Sequence, residues 1–205
     1  MKKKSAESKV YWLVFADNFL EDHPSFISCQ RWDDHGFDTR LMSTGNSIRA
    51  QWPTDFTVYV SGSERVDYFI CGAYYQAVSG DFKKVLSSLK VEGVEFLPIQ
   101  VIQEETGTRF QGYSIMNVTR TLDALDWEHT NWGGKQIPYE DPYANLDIIT
   151  PALKAGIVEG IPIFRLRVKE RIRPSIYVSA LLYKELEREE AKVGIEFYPI
   201  KVVDS

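Results

Sequence analysis

Cysteine is scarce in this chain of 205 residues, which contains only Cys29 and Cys71. Their 42-residue separation fits no ligand or redox motif. A cytosolic chain with this cysteine usage is expected to keep both thiols free and reduced. The sequence leaves one disulfide open as the alternative.

Long apolar runs are also missing. No stretch approaches the roughly 18 apolar residues that a membrane-spanning helix needs. The lysines at positions 2–4 resemble the start of a signal peptide, but the apolar stretch at 10–16 is short and no small-residue cleavage site follows it. We therefore expect a cytoplasmic protein in which residues 1–8 form a flexible tail and residues 10–16 form the first strand.

Basic charge is not in excess. The chain has 24 lysines and arginines against 29 aspartates and glutamates, a formal net charge of −5. That balance argues against general nucleic-acid binding, which favours strongly basic domains. Apolar residues make up 44% of the chain and aromatic residues 13%, enough for a sizeable core in one domain or two small lobes.

Motifs of known chemistry are lacking as well. The sequence has no glycine-rich phosphate loop, no G-x-S-x-G elbow and no H-E-x-x-H pair. His23, Cys29 and His35 stand six residues apart, with Asp33 and Asp34 nearby, but this spacing is too loose for a typical zinc site. We expect no metal, no cofactor and no catalytic residue.

A duplication is the strongest pattern in the chain. The dipeptide at 78–79 opens a stretch that ends in the nine residues 93–101, and an equal dipeptide at 178–179 opens a stretch that ends in 194–202. The two nonapeptides, GVEFLPIQV and GIEFYPIKV, agree at seven of nine positions when Val and Ile count as equal. Chance rarely produces such agreement within one chain.

Each copy has the signals of a helix followed by a strand. Ser79 and Ser179 stand where a side-chain oxygen is needed to accept an unpaired amide at the helix start. Gly93 and Gly194 suit the left-handed residue that ends a helix. A proline lies inside each following strand, so each strand is predicted to be an edge strand or to carry a bulge.

Other segments favour strands. Residues 56–61 alternate apolar and polar side chains, and residues 66–71, 113–118 and 161–168 are short apolar runs. Residues 24–53 are rich in turn-forming side chains and predict a long connection with short pieces of strand.

The predicted fold is α+β, with mixed or antiparallel sheets and two related helix–turn–strand units at about 79–102 and 179–203. We expect residues 9–203 to form a single domain with two related lobes, roughly 9–118 and 119–203.

The segment 121–150 is acidic and carries tryptophans. It contains six carboxylates against Lys135 alone, a net of −5. Aromatic rings flanked by carboxylates make good protein-binding surfaces, because the rings supply buried area and the charges steer a basic partner. An alternative is that Trp127 belongs to the core and the acids are merely solvated. The candidate partner-binding residues are Asp123, Asp126, Trp127, Glu128 and Trp132.

Two further readings stay open. Asp126, Glu128 and His129 could form an acid/base cluster of an enzyme, although a nucleophile is missing. Basic side chains alternate from Arg165 to Arg173, which predicts a strand with one basic and one apolar face. That stripe could contact phosphate in a nucleic-acid-binding regulator, or pair with acids of the same chain.

Three stretches together carry a family resemblance: residues 78–99, residues 117–130 and residues 163–200. Over these, roughly within 66–203, the chain resembles the eleventh immunity-protein family of bacterial polymorphic toxin systems. The family has a Leu-Asp-x-Leu-Asp box followed by a serine. This chain has the box at 122–126 and keeps the hydroxyl as Thr130.

The resemblance implies a role and no catalysis. Proteins of this family are thought to neutralise, by binding in the cytoplasm, a toxin made by the same cell or by its kin. The expected partner is a cognate protein toxin, and the acidic charge of the chain suits a basic one such as a nuclease.

Overall fold

A computed structural model describes residues 10–15, 22–72, 75–133 and 148–204. The predicted tail at 1–8 lies outside these residues. The described part has three α-helices, α1 (Gly80–Ser88), α2 (Ala155–Val158) and α3 (Ala180–Arg188), and a 3-10 helix at Thr39–Ser43. Its strands are β1 (Val10–Phe15), β2 (Ser28–Asp33), β3 (Thr57–Ser61), β4 (Tyr68–Cys71), β5 (Tyr75–Val78), β6 (Val94–Pro98), β7 (Gln100–Gln103), β8 (Arg109–Phe110), β9 (Ser114–Val118), β10 (Thr121–Leu122), β11 (Ala152–Lys154), β12 (Ile163–Val168), β13 (Arg171–Ser179) and β14 (Ile195–Val203).

The strands form three sheets, and two of them share one plan. One four-stranded sheet has the order β4-β5-β9-β6, and the six-stranded sheet contains β12-β13-β1-β14 in its middle, between β10 and β11. In both, a hairpin leads into a helix, and the strand after the helix pairs with a central antiparallel strand, β9 or β1. The α+β class and the two related helix–turn–strand units are confirmed.

The register of the two units also agrees. Phe96 lies opposite Met116 in the first unit, and its counterpart Phe197 lies opposite Leu13 in the second. The central strand of the second unit is β1, from the start of the described chain, whereas that of the first unit follows its helix. The N-terminal strand thus lies in the sheet of the second unit, and the division into lobes near residue 118 stays a prediction.

The helix starts are as predicted. The Ser79 hydroxyl accepts the amide of Phe82, and the Ser179 hydroxyl accepts the amide of Leu182. Each serine has an extended backbone, as an N-cap requires. The apolar faces that follow are buried.

The helix ends differ from the prediction. The left-handed residues that end the helices are Lys90 (φ 50°) and Glu190 (φ 53°), not the glycines three and four residues later. The amide of Val91 donates to the carbonyl of Leu86 at 3.0 Å, and Ala191 repeats this bond in the second helix at 2.9 Å. This is the Schellman arrangement, in which the backbone bonds offset the strain of a side chain at positive φ.

Gly93 and Gly194 serve the entry to the strands instead. Both have positive φ, 76° and 83°. A Cβ atom at Gly93 would lie 2.7 Å from Cβ of Arg120, and one at Gly194 would lie 2.9 Å from the carbonyl oxygen of Tyr68. Each glycine therefore allows a close chain crossing as well as a turn.

The prolines lie where a strand lacks a second neighbour. Pro98 ends β6, which is an edge strand. Pro199 lies in β14 opposite Tyr11, while the other neighbour, β11, pairs with β14 only from Lys201 onward. The predicted edge strand is confirmed for β6. It is wrong for β14, an interior strand, which tolerates Pro199 because its pairing with β11 begins only two residues later.

The third sheet has the order β2-β3-β7-β8 and covers an aromatic core. β2 is the predicted piece of strand in the turn-rich stretch at 24–53, and the same stretch also contains the 3-10 helix, which the sequence did not predict. β3 pairs in parallel with β7, as β11 does with β14, so the likeness of the two units extends past the proline.

One apolar core joins the two units. It contains equivalent side chains from both copies, and α1 and α3 each contribute their buried apolar face. No helix in the described residues is long and apolar enough to cross a membrane. The matched members of this core are Val78 and Val178, Phe82 and Leu182, Leu86 and Leu186, and Met116 and Leu13.

A buried carboxylate ties the units together. Asp67 accepts the hydroxyl of Ser79 through Oδ1 at 2.6 Å and the amide of Val193 through Oδ2 at 2.9 Å. Asp67 is 9% exposed, so losing either donor would leave a buried oxygen unpaired. The amide of Ser79 also donates to the backbone carbonyl of Asp67. In the second unit the amide of Ser179 donates to the carbonyl of Pro162, so a proline without a carboxylate takes the place of Asp67.

This difference makes the two caps unequal. Removing a serine cap costs about 1 kcal/mol of folding stability. Ser79→Ala also leaves Oδ1 of the buried Asp67 without its hydrogen-bond donor, so we expect it to lower the free energy of unfolding by about 2–3 kcal/mol. Ser179→Ala is expected to cost only about 1 kcal/mol. Urea denaturation of the two variants checks this, and an equal or larger loss for Ser179→Ala would contradict it.

Candidate functional site

The predicted binding segment runs along β11. The amide of Asp126 donates to the carbonyl of Ala152 at 2.8 Å, and the amide of Lys154 donates to Ala124 at 2.9 Å. Asn131 forms an isolated bridge with Thr150. These bonds fix residues 124–131 as a rigid turn at the edge of the six-stranded sheet.

Asp126 organises that turn. Its Oδ1 accepts the backbone amide of His129 at 3.0 Å and lies 2.9 Å from the ring Nδ1 of His129. The hydroxyl of Thr130 donates to the carbonyl of Asp126 at 2.6 Å and accepts the amide of Ala152 at 3.1 Å. Asp126 and Thr130 are both 6% exposed. This cluster has the geometry of a structural cap.

The two tryptophans form a stack. Their ring centroids lie 5.1 Å apart, and Nε1 of Trp132 donates to the carbonyl of Trp127 at 3.1 Å. Trp132 is buried in the third apolar cluster, and Trp127 packs against that cluster with part of its ring exposed. Nζ of Lys169 lies 5.3 Å from the Trp127 ring centroid, a cation–π distance.

The five candidate residues thus fall into two groups. Asp123 and Glu128 are exposed and Trp127 is half-buried, so these three present atoms to solvent. Asp126 and Trp132 are buried and hold the segment in place. A role in binding stays a prediction for all five. Part of the acidic stretch, at 134–147, lies outside the described residues.

The acid/base reading meets a geometric obstacle. The structure does bring Asp126 and His129 together, with the ring partly exposed. However, the nearest hydroxyl in the turn, that of Thr130, is buried and already both donates and accepts a hydrogen bond. The Asp126–His129 pair is therefore explained by the turn it stabilises.

The prediction of a basic face from Arg165 to Arg173 is wrong for Arg165. Arg165 is 6% exposed, and its Nη1 donates to the carbonyl of Met42 at 2.7 Å. Burial lowers the pKa of Arg165 to about 10. The strand still alternates, since Phe164, Leu166 and Val168 all lie in the third apolar cluster. On the opposite face the 3-10 helix covers Arg165 through Met42, while Arg167 stays exposed. One continuous basic face does not exist on this strand.

The sequence reading overlooked a second acidic and aromatic group. Asp33 and Asp55 flank the ring of His35, with nitrogen–oxygen distances of 3.7 and 3.4 Å, next to the exposed Trp32. In the sequence reading, Asp33 and His35 appeared only as weak metal ligands. No group of three or more potential ligands that could hold a metal occurs in the described residues. The run Trp32-Asp33-Asp34 was the available signal, but Asp55 joins it only through the fold.

The Asp126 turn has a pH signature. Burial disfavours the charged carboxylate, but the hydrogen bonds from the His129 side chain and amide outweigh it, so the pKa of Asp126 is lowered. A carboxyl whose pKa is lower in the folded state stabilises the protein above its unfolded pKa of about 3.9. That stabilisation is lost as the pH falls through the folded pKa.

We therefore expect Asp126→Asn to have a lower free energy of unfolding than the wild type at pH 7. On acidification, the free energy of unfolding should fall less in the variant than in the wild type. The difference in unfolding free energy between the two proteins should shrink from pH 6 to pH 3, because protonation removes the advantage of the wild type. Urea denaturation across this range measures it. A constant difference would show that the charge of Asp126 contributes nothing.

Comparison with known proteins identifies the family of the chain. A search of the curated proteins found no match. The family model described as "Immunity protein family (Imm11)" matches residues 8–202, which extends the resemblance at 66–203 to almost the whole chain. Because the match covers both units and the N-terminal strand that completes the second one, the chain belongs to the Imm11 immunity protein family.

Proposed function

We propose that this protein binds a cognate bacterial toxin in the cytoplasm and neutralises it by occupying the toxin's surface. Membership of the Imm11 family carries the proposal. An immunity protein protects the cell that makes the toxin, or its kin, so the toxin is a protein partner. In this proposal the chain acts by binding and performs no chemistry.

The proposed contact segment is the turn after β10. Asp123, Trp127 and Glu128 present their side chains to solvent, while the buried Asp126 and Trp132 keep that presentation rigid. A rigid aromatic ring beside carboxylates supports tight binding, because little side-chain freedom is lost on contact.

The charge of the chain suggests the class of toxin. The net charge is −5, and complementary charge speeds the encounter of two proteins. We propose a toxin with a basic surface, such as a nuclease, whose own substrate is negatively charged.

Co-expression tests this function. The toxin domain encoded by the adjacent gene should arrest growth when expressed alone, and growth should recover when this chain is expressed with it. An inactive variant of that toxin should copurify with the chain. If the neighbouring product is harmless, or if growth does not recover and the two do not associate, the proposal is wrong.

The contact segment has its own test. We expect Asp123→Asn combined with Glu128→Gln to slow association with the inactive toxin by about tenfold at low salt, since both changes remove steering charge. Glu105→Gln is the control, because Glu105 is an exposed acid in the turn between β7 and β8. Surface plasmon resonance measures the rates, and equal effects of the two variants would argue against this segment.

A further inference from the structure

A tryptophan at the end of β2 is held rigidly at the surface. Trp32 is 39% exposed, although its ring meets the ring of Tyr75 edge-on at 5.8 Å. A Cβ atom at Gly72 would lie 2.7 Å from the Trp32 ring, so the ring rests directly on the backbone of the β4–β5 hairpin. The exposed face of this ring is therefore fixed in position.

The support for that ring is a buried aromatic cluster. Tyr75 is 1% exposed and packs edge-on against Phe56 at 4.8 Å and against Trp52 at 6.2 Å. Trp52 and Phe56 stack on each other at 4.7 Å. Trp32 thus extends the core to the surface and would lose little freedom on binding, which is the property of a binding hot spot.

Carboxylates lie beside the ring in an ordered turn. Asp34 accepts the hydroxyl of Tyr75 at 2.9 Å with one oxygen and the amide of Gly36 at 3.1 Å with the other. Asp33 accepts the amide of His35 at 3.0 Å. The same tyrosine therefore supports the exposed ring and positions a carboxylate.

The charge of this turn is not neutralised within the described chain. Asp33 and Asp55 have side chains 56% and 62% exposed, and the ring of His35 is their ion-pair neighbour. No lysine or arginine of the described residues lies within 4.0 Å of the carboxylates of Asp33, Asp34 or Asp55. The neighbouring Arg31 pairs with Glu104 instead, at 2.6 Å.

We infer that the Trp32 surface, formed by Trp32, Asp33, Asp34 and Asp55, docks a lysine- and arginine-rich face of the toxin. This inference rests on the proposed function and adds a second contact surface to the turn after β10. An arginine of the partner would stack on the exposed indole ring and pair with the adjacent carboxylates. Both interactions favour arginine over a neutral side chain.

The carboxylates of the Trp32 surface disfavour binding partners other than a basic protein. Three carboxylates with no lysine or arginine beside them in the described residues repel the phosphates of a nucleic acid. They would also meet like charge in a symmetric contact between two copies of this chain, because such a contact places the same patch on both sides. A basic protein surface is the occupant that satisfies both the ring and the acids.

The test uses the full chain and the purified, inactive toxin domain from the adjacent gene. Asp33→Asn combined with Asp55→Asn keeps the amide-oxygen acceptor for the turn while removing two charges. We expect about tenfold slower association at low salt, and a weaker salt dependence than that of the wild type. Trp32→Ala should raise Kd about thirtyfold or more, mainly through faster dissociation.

Matched controls separate this surface from general effects. Glu190→Gln removes an exposed acid at the end of α3, and Tyr198→Ala removes an aromatic ring that is 49% exposed on β14. Both should bind like the wild type. Thermal unfolding of every variant shows whether Trp32→Ala remains folded, and the double asparagine variant carries the test if it does not.

The outcomes are distinct. If the wild type binds the toxin but the Trp32 and aspartate variants bind equally well, this surface is not the contact, while the proposed function stands. If only the Asp123 and Glu128 variants weaken binding, the docking surface is the turn after β10. If the wild type neither binds nor protects, the proposed function and this inference both fail.

Discussion

The structure depends on two copies of one unit burying the same apolar face against each other. The two units share this core, and the central strand of the second unit comes from the N-terminal part of the chain. Val78 meets the shared core as Val178 does, and Leu86 as Leu186 does. Burying each such side chain contributes about 1.5–3 kcal/mol, so the shared core outweighs any single polar contact.

Polar contacts then set how the units and their connections lie. Asp67 joins the cap of α1 to the second unit through Val193. Glu95 accepts bonds from Ser47, Ile48 and Asn117, which fastens the turn-rich connection to the first unit. Burial opposes the charge of Glu95, but these bonds outweigh it and lower its pKa. Such contacts add little net stability, yet they are costly to break once buried.

The two proposed contact surfaces lie outside the part of the fold that the two copies share. The exposed acids with aromatic neighbours lie on turns outside the duplicated helices: one group follows β10 and the other ends β2. A rigid core that positions turns is the usual arrangement for a protein that acts by recognition. In both groups a buried aromatic residue packs against a tryptophan that reaches the surface: Trp132 stacks on the half-buried Trp127, and Tyr75 meets the exposed Trp32 edge-on.

Much of this fold followed from the sequence by itself, because its signals are local. A serine before an apolar stripe predicts a capped helix, and a proline inside a strand predicts a free edge, since both depend on backbone groups a few residues away. The duplication likewise needed only a comparison of the chain with itself. The glycine prediction was wrong because Schellman bonds allowed Lys90 and Glu190 to take the left-handed conformation.

Only the tertiary structure decided which of the charged and aromatic side chains face solvent. Asp126 and Trp132 look like surface residues in the sequence but are buried, and Arg165 is buried beneath Met42 of the 3-10 helix, 123 residues away in the chain. Asp55 joins Asp33 across a gap of 22 residues because β3 pairs with β2. Exposure depends on contacts between segments distant in the chain, so it is a property of the packed molecule rather than of any single segment.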